Sequence, residues 1–335
     1  MHQRKIAAKP VNPSEFGAVV IGRNEGGRLK TCLDSLSAAS IIVYVDSGST
    51  DESIQIARSQ GAEVVQLDLS IPFTAARARN AGFASLRQIS PGVRHVQFVD
   101  GDCEIAEKWL EGAAVFLQNN PDIAAVCGKL SERYPERSLY NWLCQREWDG
   151  PIGELRACAG NVMMSAAAIQ MVGGYRDDLI AGEEAELCIR LRRSNWRIWR
   201  INREMAMHDA NIQTFSQWWR RSVRNGYAFA EGAYLHGAKP ERHWVWESER
   251  AWLWGIGIPV ICLFGCLTYG ARGLVLWLIY PFQLLRQTVR SQGSVRERLI
   301  TSIFQTLIRF PEAVGQIKFW SLKLLGRQSR LIEYK

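Results

Sequence analysis

Short apolar runs alternate with helical patterns through the first hundred residues of the chain. The predicted strands are Phe16 to Ile21, Ile41 to Val45, Glu63 to Leu67 and Val93 to Val99; the predicted helices are Gly27 to Leu36, Asp51 to Ser59 and Thr74 to Leu86. This alternation is typical of βαβ units, whose strands are parallel. It predicts an α/β fold with a central, mostly parallel sheet flanked by helices. Ligands bind such sheets at the carboxyl ends of their strands.

The composition changes at Ala251, because the only charged residue from there to Leu285 is Arg272. Trp252 to Tyr269 lies at the lower length limit for a helix that spans a bilayer, whereas Gly273 to Leu285 suits a re-entrant or interfacial segment. Arginines follow at once, at positions 286, 290, 296 and 298. Positive residues beside an apolar segment favour the cytoplasmic side of a membrane. A hairpin that returns to the cytoplasm fits this pattern, and whether it spans the bilayer or lies in its interface stays open.

Two patterns near this break bear on membrane attachment. Apolar residues recur at helical spacing from Leu299 to Ile308, as in a helix that rests in the headgroup region or packs on the rest of the protein. Seven of the 13 tryptophans lie between residues 218 and 277, where an interfacial belt, a packed core or a sugar-stacking platform would use them. The predicted organisation is an N-terminal extension (1–15), a catalytic α/β domain (16–250) and C-terminal membrane-associated α-helices (251–335).

Length and charge narrow the function classes. A chain of 335 residues allows about two domains. Its net charge of +8 suggests an anionic partner: nucleic acid, a phosphorylated substrate or a membrane surface. The turn after the first predicted strand lacks G-x-G-x-x-G, and no Walker A sequence is present, so dehydrogenases and P-loop enzymes are poor candidates. The N-terminus lacks the apolar stretch of a signal peptide, and the eight cysteines lack zinc-site spacing, so we expect a cytoplasmic catalytic part with reduced thiols.

Carboxylates follow two of the predicted strands. Asp100 and Asp102 are separated by one glycine at the end of a strand, where they can supply oxygen ligands to Mg²⁺ or Mn²⁺, although Asp-Gly is also a common turn. Asp46 ends an earlier strand, where its carboxylate could accept hydrogen bonds from a base or ribose. Arg77 and Arg79 open a helix, and a guanidinium there can meet phosphate oxygens or simply face solvent.

A further acidic group begins a helix at Gly182. Glu186 is explained by an i,i+4 pair with Arg190 and by the helix dipole. Glu183 and Glu184, beside the glycine, are better placed to act as a general base toward an incoming hydroxyl.

Six motifs occur together in one order between Val19 and Glu231. They are Asn24-Glu25, the loop Asp46 to Asp51, Ala78 to Gly82, Asp100-x-Asp102, Ala159-Gly160-Asn161 with Gly173-Gly174-Tyr175, and Gly182-Glu183-Glu184. In this order the chain resembles the family 2 nucleotide-sugar glycosyltransferases, in particular bacterial enzymes of exopolysaccharide and lipid-linked glycan synthesis. The resemblance implies a GT-A fold, a divalent cation (Mg²⁺ or Mn²⁺) and inversion at the anomeric carbon.

The resemblance also implies roles for particular residues. Nucleotide and diphosphate binding falls to Asn24, Glu25, Asp46, Arg77, Arg79 and Asp100; metal binding to Asp100, Asp102 and His208; base catalysis to Glu184 or Glu183. The base position usually holds Glu-Asp, so the Glu-Glu pair leaves open which glutamate acts. A packed histidine explains His208 equally well.

The stretch Gln217 to Arg221 only partly resembles the Gln-x-x-Arg-Trp motif of processive synthases, since no tryptophan follows the arginine. Because the chain has few apolar spans for a polymer channel, transfer of one sugar is the better expectation, with Trp218, Arg220 and Arg221 as weak candidates for binding acceptor or product diphosphate. Expected partners are a UDP- or GDP-sugar donor, a glycan or polyprenyl-diphosphate-linked acceptor and membrane lipid at the cytoplasmic face of the cell membrane. The alternatives are a sugar-phosphate nucleotidyltransferase, which can share the fold, and a basic nucleic-acid-binding protein, the least favoured.

Overall fold

The computed structural model describes residues 16–327, so the predicted extension 1–15 lies outside the described residues. The strands are β1 (Phe16–Gly22), β2 (Ile42–Asp46), β3 (Glu63–Gln66), β4 (His95–Asp100), β5 (Cys103–Ile105), β6 (Ile123–Glu132), β7 (Gly153–Leu155), β8 (Val162–Ser165) and β9 (Arg197–His208). The helices are α1 (Gly27–Ser35), α2 (Ser53–Ser59), α3 (Ala75–Ile89), α4 (Trp109–Asn119), α5 (Leu139–Glu147), α6 (Ala166–Val172), α7 (Glu183–Arg193), α8 (Phe215–His236), α9 (Val245–Trp252), α10 (Ile258–Tyr269), α11 (Ile279–Arg290), α12 (Val295–Leu307) and α13 (Arg309–Leu324).

The strands form one sheet in the order β3-β2-β1-β4-β8-β6-β9-β5, with β7 also paired to β9. The pairs among β1, β2, β3 and β4 are parallel, as predicted. The sheet as a whole is mixed, because β8 runs antiparallel to both β4 and β6, while β5 and β7 run antiparallel to β9. The predicted α/β class is confirmed, with helices packed against a central sheet whose buried residues form one core.

The chain divides into two compact units, one ending at Asn211 and the other beginning at Ile212. This division precedes the predicted boundary at residue 250. The reason lies in α8, which packs along α13 and so belongs with the C-terminal helices. Gly226 of α8 and Gly315 of α13 permit the approach: a Cβ on Gly226 would lie 2.0 Å from the Glu312 carbonyl oxygen, and one on Gly315 would lie 2.1 Å from that of Val223.

The uncharged stretch of the second unit forms a helical hairpin. Of the described residues, one helical run, Val245–Arg290, is by length and composition long and apolar enough to cross a membrane, and only 22% of its most apolar stretch is buried. The run reverses at Gly270, whose φ of 61° and ψ of −138° are not helical. The two limbs then touch, because a Cβ on Gly273 would lie 2.3 Å from the Gly265 carbonyl oxygen. Tyr280 on the returning limb donates a hydrogen bond to the Trp254 carbonyl on the outgoing one (2.7 Å).

The predicted apolar stripe from Leu299 to Ile308 begins within α12. Phe304 packs edge-on against Trp218 with ring centroids 5.1 Å apart, so one side of the helix faces the interior of its unit. Leu299 and Ile303 remain exposed.

Gly226→Ala is expected to lower the free energy of unfolding of this unit by about 1–3 kcal/mol, because the added methyl group meets backbone that cannot rotate away. Thermal unfolding in detergent measures the change. The control is Gly257→Ala, where the nearest atom to the new Cβ would be an ordinary 3.6 Å away. Equal unfolding temperatures for the two variants would contradict the close helix contact.

Candidate active site

Three parallel strands end at the same edge of the sheet. Gly22 of β1 lies opposite Asp46 of β2, and Ile21 lies opposite Asp100 of β4. The loops that follow these strands therefore meet, as the sequence predicts for the carboxyl edge of a parallel sheet.

Asn24 joins the first two loops. Its backbone N–H donates to Ser49 Oγ (2.9 Å), and its side-chain oxygen accepts from the Thr50 N–H (2.7 Å). Asn24 has a φ of 56°, in the left-handed region where asparagine is among the better tolerated residues. Asn24 thus fixes the shape of this exposed edge.

Asp46 is buried and organises its own loop. One carboxylate oxygen accepts from the N–H groups of Gly48 and Ser49, both at 2.9 Å, and the other accepts from the Tyr44 hydroxyl (3.1 Å). These three bonds leave little free capacity on the carboxylate. The structure thus gives Asp46 a loop-forming role, and its contact with a nucleotide stays a prediction.

Glu25 lies beside the turn that follows β4. Its Oε2 is 2.7 Å from Arg28 Nη2, and its side chain is 12% exposed. Its Cγ would lie 3.1 Å from a Cβ on Gly101 and 3.0 Å from one on Gly22, so both glycines make room for it. Glu25 is therefore brought next to the Asp100-Gly101-Asp102 turn, as its predicted role requires.

A buried guanidinium, that of Arg79, joins three carboxylates. Its Nη1 lies 2.8 Å from Glu183 Oε1 and 3.0 Å from Glu184 Oε1, and its Nη2 donates to Asp100 Oδ1 (3.0 Å). Burial alone would lower the pKa of Arg79, but Glu184, Asp100 and Glu183 together raise it well above its usual value. The cation is therefore permanent, and it unites the ends of α3, β4 and α7.

Glu184 has the more unusual environment of the two glutamates. Burial, followed by repulsion from Glu183, raises its pKa to about 7, and Arg79 opposes this rise. Its side chain is 17% exposed, whereas that of Glu183 is 4% exposed. A carboxylate that titrates near neutral pH and keeps access to solvent can exchange protons with a substrate.

Gly160 leaves the space in which these groups meet. A Cβ there would lie 2.3 Å from Arg79 Nη2, 3.0 Å from Glu184 Oε1 and 3.2 Å from Asp100 Oδ2. Only glycine fits without displacing the guanidinium, which explains its place in the Ala-Gly-Asn motif.

The neighbouring Asn80 ties α3 to the Gly-Gly-Tyr loop. Its Oδ1 accepts from the Tyr175 N–H (2.9 Å), and its Nδ2 donates to the Tyr175 carbonyl (2.8 Å). Gly174 lies against the Asn80 side chain with a φ of 74°. The Tyr175 ring in turn lies 5.6 Å from the Arg79 guanidinium carbon. Two motifs far apart in sequence thus form one support for Arg79.

A second cluster lies where β5 pairs with the end of β9. Asp102 and His208 approach to 3.2 Å between Oδ1 and Nε2, and both are largely buried. Ligand atoms of Asp102, Cys103 and His208 all lie within 4.8 Å of one another. Burial and the nearby carboxylates raise the pKa of the Cys103 thiol well above its usual value, which favours the protonated thiol.

The donor set fits a hard divalent cation. The Asp102 carboxylate oxygen suits Mn²⁺ or Mg²⁺, and the imidazole nitrogen is a ligand that Mn²⁺ accepts more readily than Mg²⁺, whereas a soft thiolate site would suit zinc. The Trp148 ring holds the imidazole from one side, with centroids 4.8 Å apart. Among the described residues, Asp100 does not belong to this cluster, and its Oδ1 pairs with Arg79. The predicted ligand set of Asp100, Asp102 and His208 stays a prediction.

The remaining predicted residues lie away from both clusters or in the second unit. The Arg77 guanidinium donates to the carbonyls of Asp68, Ile71 and Pro72 and so closes the loop before α3.

Trp218, Arg220 and Arg221 lie on α8, where Trp218 is buried. Their roles stay predictions. The pairing of Glu186 with Arg190 is confirmed, with three contacts of 2.7 to 3.0 Å.

Sequence reasoning assigned no role to Gly160, Asn161, Cys103 or Trp148. Asn161 accepts from the Asp100 N–H (3.3 Å) and donates to the Cys103 sulfur (3.3 Å), so it links the two clusters. The Ala-Gly-Asn motif was a signal for the first two. Cys103 directly follows Asp102, but nothing in the sequence around Trp148 indicates its contact with His208.

Known proteins resemble this chain in sequence over part of its length and in fold over most of it. Residues 18–163 match the family described as Glycosyl transferase family 2. The fold resembles that of the mannosyltransferase PcManGT from Pyrobaculum calidifontis, solved in complex with GDP-Man and Mn²⁺, with a TM-score of 0.58 at 16% identity over 94% of this chain and 90% of that one.

Two further solved structures are similar to parts of the chain. TarS from S. aureus has a TM-score of 0.47 at 15% identity, over 89% of this chain and 55% of that one. Glucosyl-3-phosphoglycerate synthase from Mycobacterium tuberculosis, in complex with Mg²⁺ and UDP, has a TM-score of 0.48 at 19% identity, over 66% of this chain and 79% of that one.

The matched residues include Asn24, Asp46, Asp100 and Asp102, and the superposition on PcManGT shows the GT-A fold. Residues 18–163 of this chain are therefore similar to glycosyltransferase family 2.

Proposed function

We propose that the protein is an inverting, metal-dependent glycosyltransferase that moves one sugar from a UDP- or GDP-sugar to a hydroxyl of a glycan or a polyprenyl-diphosphate-linked acceptor. The observation that carries the proposal is Glu184, a largely buried carboxylate with a pKa of about 7 at the edge of the sheet. Such a group is matched to general-base catalysis near neutral pH.

Glu184 is the better candidate of the two glutamates. Glu183 is almost fully buried, and its Oε1 accepts a hydrogen bond from Arg79 (2.8 Å), so it serves to hold the guanidinium. Glu184 shares the same cation at 3.0 Å but retains exposure through which an acceptor hydroxyl can approach.

In the proposed reaction, Glu184 takes the proton of the acceptor hydroxyl as its oxygen attacks the anomeric carbon. The bond from that carbon to the nucleoside diphosphate breaks on the opposite face, so the configuration inverts. Arg79 keeps Asp100 and the base in fixed positions through its two Nη atoms.

The residues present fit a divalent cation, with Asp102 and His208 as its protein ligands. When bound, Mn²⁺ or Mg²⁺ would offset the negative charge of the leaving diphosphate. Mn²⁺ accompanies GDP-Man in the PcManGT structure, which supports the same class of donor and metal here.

Nucleotide recognition is assigned to the surface around Asn24 and Glu25, which the loops of β1 and β2 fix at the same edge. Attachment to the cytoplasmic face of the cell membrane is assigned to the hairpin. Its exposed apolar residues and the arginines that follow support this location.

Donor binding tests the proposal most simply. We expect one nucleotide sugar from a panel to raise the unfolding temperature only when Mn²⁺ or Mg²⁺ is present. Asp102→Asn should abolish the metal-dependent part of that shift, because the substitution removes a ligand charge. Glu104→Gln is the control, since Glu104 pairs with Arg133 rather than with the Asp102 cluster. Equal shifts in the two variants would contradict the assigned metal site.

A further inference from the structure

A groove lined by arginines lies at the base of the hairpin, between α9 and α11. It has a volume of about 560 Å³. Its lining consists of Trp246, Glu249, Arg250, Leu253, Trp254, Gln283, Arg286, Gln287, Arg290, Ser291 and Gln305. The outgoing limb supplies Trp246 to Trp254, and the returning limb supplies Gln283 to Ser291, so the groove requires the folded hairpin.

The charges of this groove are unbalanced. Arg250, Arg286 and Arg290 line it together with a single carboxylate, that of Glu249. Arg250 is partly buried near Glu247, Glu312 and the cationic Arg309, whereas Arg286 and Arg290 are exposed. Guanidinium groups that outnumber the carboxylates of a groove are suited to bind phosphate oxygens, because their planar N–H forks match that geometry.

A second groove, which is apolar, adjoins the first. It has a volume of about 600 Å³ and is lined by Ala233, Val245, Ser248, Glu249, Trp252, Leu253, Ile256 and Gly257. Glu249 and Leu253 line both grooves, so they form the wall between them. The two adjoining grooves together match a ligand that is anionic at one end and apolar at the other.

The hairpin places these grooves at headgroup level if its tip enters a bilayer. The limbs beyond the grooves expose large apolar side chains, among them Val260, Phe264, Leu267 and Val275. Sixteen residues separate the turn at Gly270 from Arg286, a distance of roughly 28 Å at about 2.0 Å per residue in the 3-10 helix Gly270–Leu278 and 1.5 Å per residue beyond it. Half of a bilayer including its headgroups is roughly 20–22 Å thick. A hairpin that reaches the midplane therefore leaves Arg286 at the outer edge of the headgroups, where its long side chain can reach the phosphates of one leaflet.

We propose that the arginine groove binds the phosphate group of an anionic membrane lipid, and that the lipid's hydrocarbon chain occupies the adjoining apolar groove. This site is separate from the residues assigned to sugar transfer, and its occupancy does not depend on that activity.

The test measures binding of the full chain to vesicles of phosphatidylcholine alone and of phosphatidylcholine with phosphatidylglycerol. The variant is Arg286→Gln/Arg290→Gln. Its control is Arg58→Gln/Arg296→Gln, which removes the same net charge from exposed arginines outside the groove. We expect the groove variant to lose at least about tenfold more affinity for anionic vesicles than the control, while both bind neutral vesicles as the wild type does.

Two results would overturn the proposal. Equal losses in the groove variant and its control would mean that general charge attraction, not the groove, holds the lipid. Saturable micromolar binding of inorganic phosphate in the absence of vesicles, lost in the groove variant, would assign the groove to a soluble anion instead.

Discussion

Glu184→Gln is expected to lower kcat by about 10²- to 10⁴-fold, because glutamine cannot accept the proton of the acceptor hydroxyl. The amide keeps the size of the side chain, and Arg79 retains Glu183 and Asp100 as partners, so donor binding should be preserved. Steady-state release of nucleoside diphosphate, together with donor affinity, separates the two effects.

Glu186→Gln is the matched control for this substitution. It makes the same chemical change on the same helix, but the Glu186 carboxylate is bound to Arg190 rather than to Arg79. We expect the control to keep a wild-type kcat. A wild-type kcat in the Glu184 variant would remove Glu184 from the mechanism.

The pH dependence of kcat tests the role of Glu184 independently of the substitution. The base must be deprotonated, so kcat should rise with pH, reach half of its maximum near pH 7, the pKa of Glu184, and level off roughly one to two pH units higher. The free energy of unfolding depends on pH in the opposite direction. Because the pKa of Glu184 is raised in the folded state, its contribution to this free energy is fully present at pH values below the usual pKa of glutamate and is lost as the pH rises through about 7. The rising limb of kcat should disappear in Glu184→Gln.

Arg79→Gln is expected to lower the free energy of unfolding by about 3–5 kcal/mol, because it leaves Glu183 buried beside other carboxylates without a cation. The loss falls on α3, β4 and α7 together, since the guanidinium joins all three. Chemical denaturation of the wild type and the variant measures the difference.

A double-mutant cycle with Glu183→Gln identifies the cause. If uncompensated charge accounts for the loss, the double variant should be more stable than Arg79→Gln alone. A single Arg79 variant within about 1 kcal/mol of the wild type, the range of exposed ion pairs, would contradict the buried cluster.

The N-terminal strands and helices could be predicted within a few residues from their hydrophobic periods and, for α3, from its capping residue. Thr74 illustrates this, because its hydroxyl accepts from the Arg77 N–H and so begins α3 where the sequence predicts. The antiparallel half of the sheet could not be predicted in the same way. Strand direction depends on which strands pair, and β8 meets β4 only after a separation of more than sixty residues.

The acidic residues of the site could be named from the sequence, but not their partners. Arg79 and Glu183 are 104 residues apart, and no local pattern shows that they touch. A resemblance that assigns Arg79 to a diphosphate therefore misses its buried ion pairs. The start of the second unit could not be predicted from composition either. The composition changes at Ala251, where the exposed apolar segment begins, but the compact unit begins at Ile212, because α8 is packed against α13.

The decisive measurement is metal-dependent release of nucleoside diphosphate from a panel of UDP- and GDP-sugars, with the full chain in detergent and a polyprenyl-diphosphate-linked acceptor. We expect release from one sugar nucleotide that requires Mn²⁺ or Mg²⁺, with Glu184→Gln nearly inactive and Glu186→Gln unaffected. Absence of release and transfer with every donor, or release that is equal in Glu184→Gln and the wild type, would contradict it.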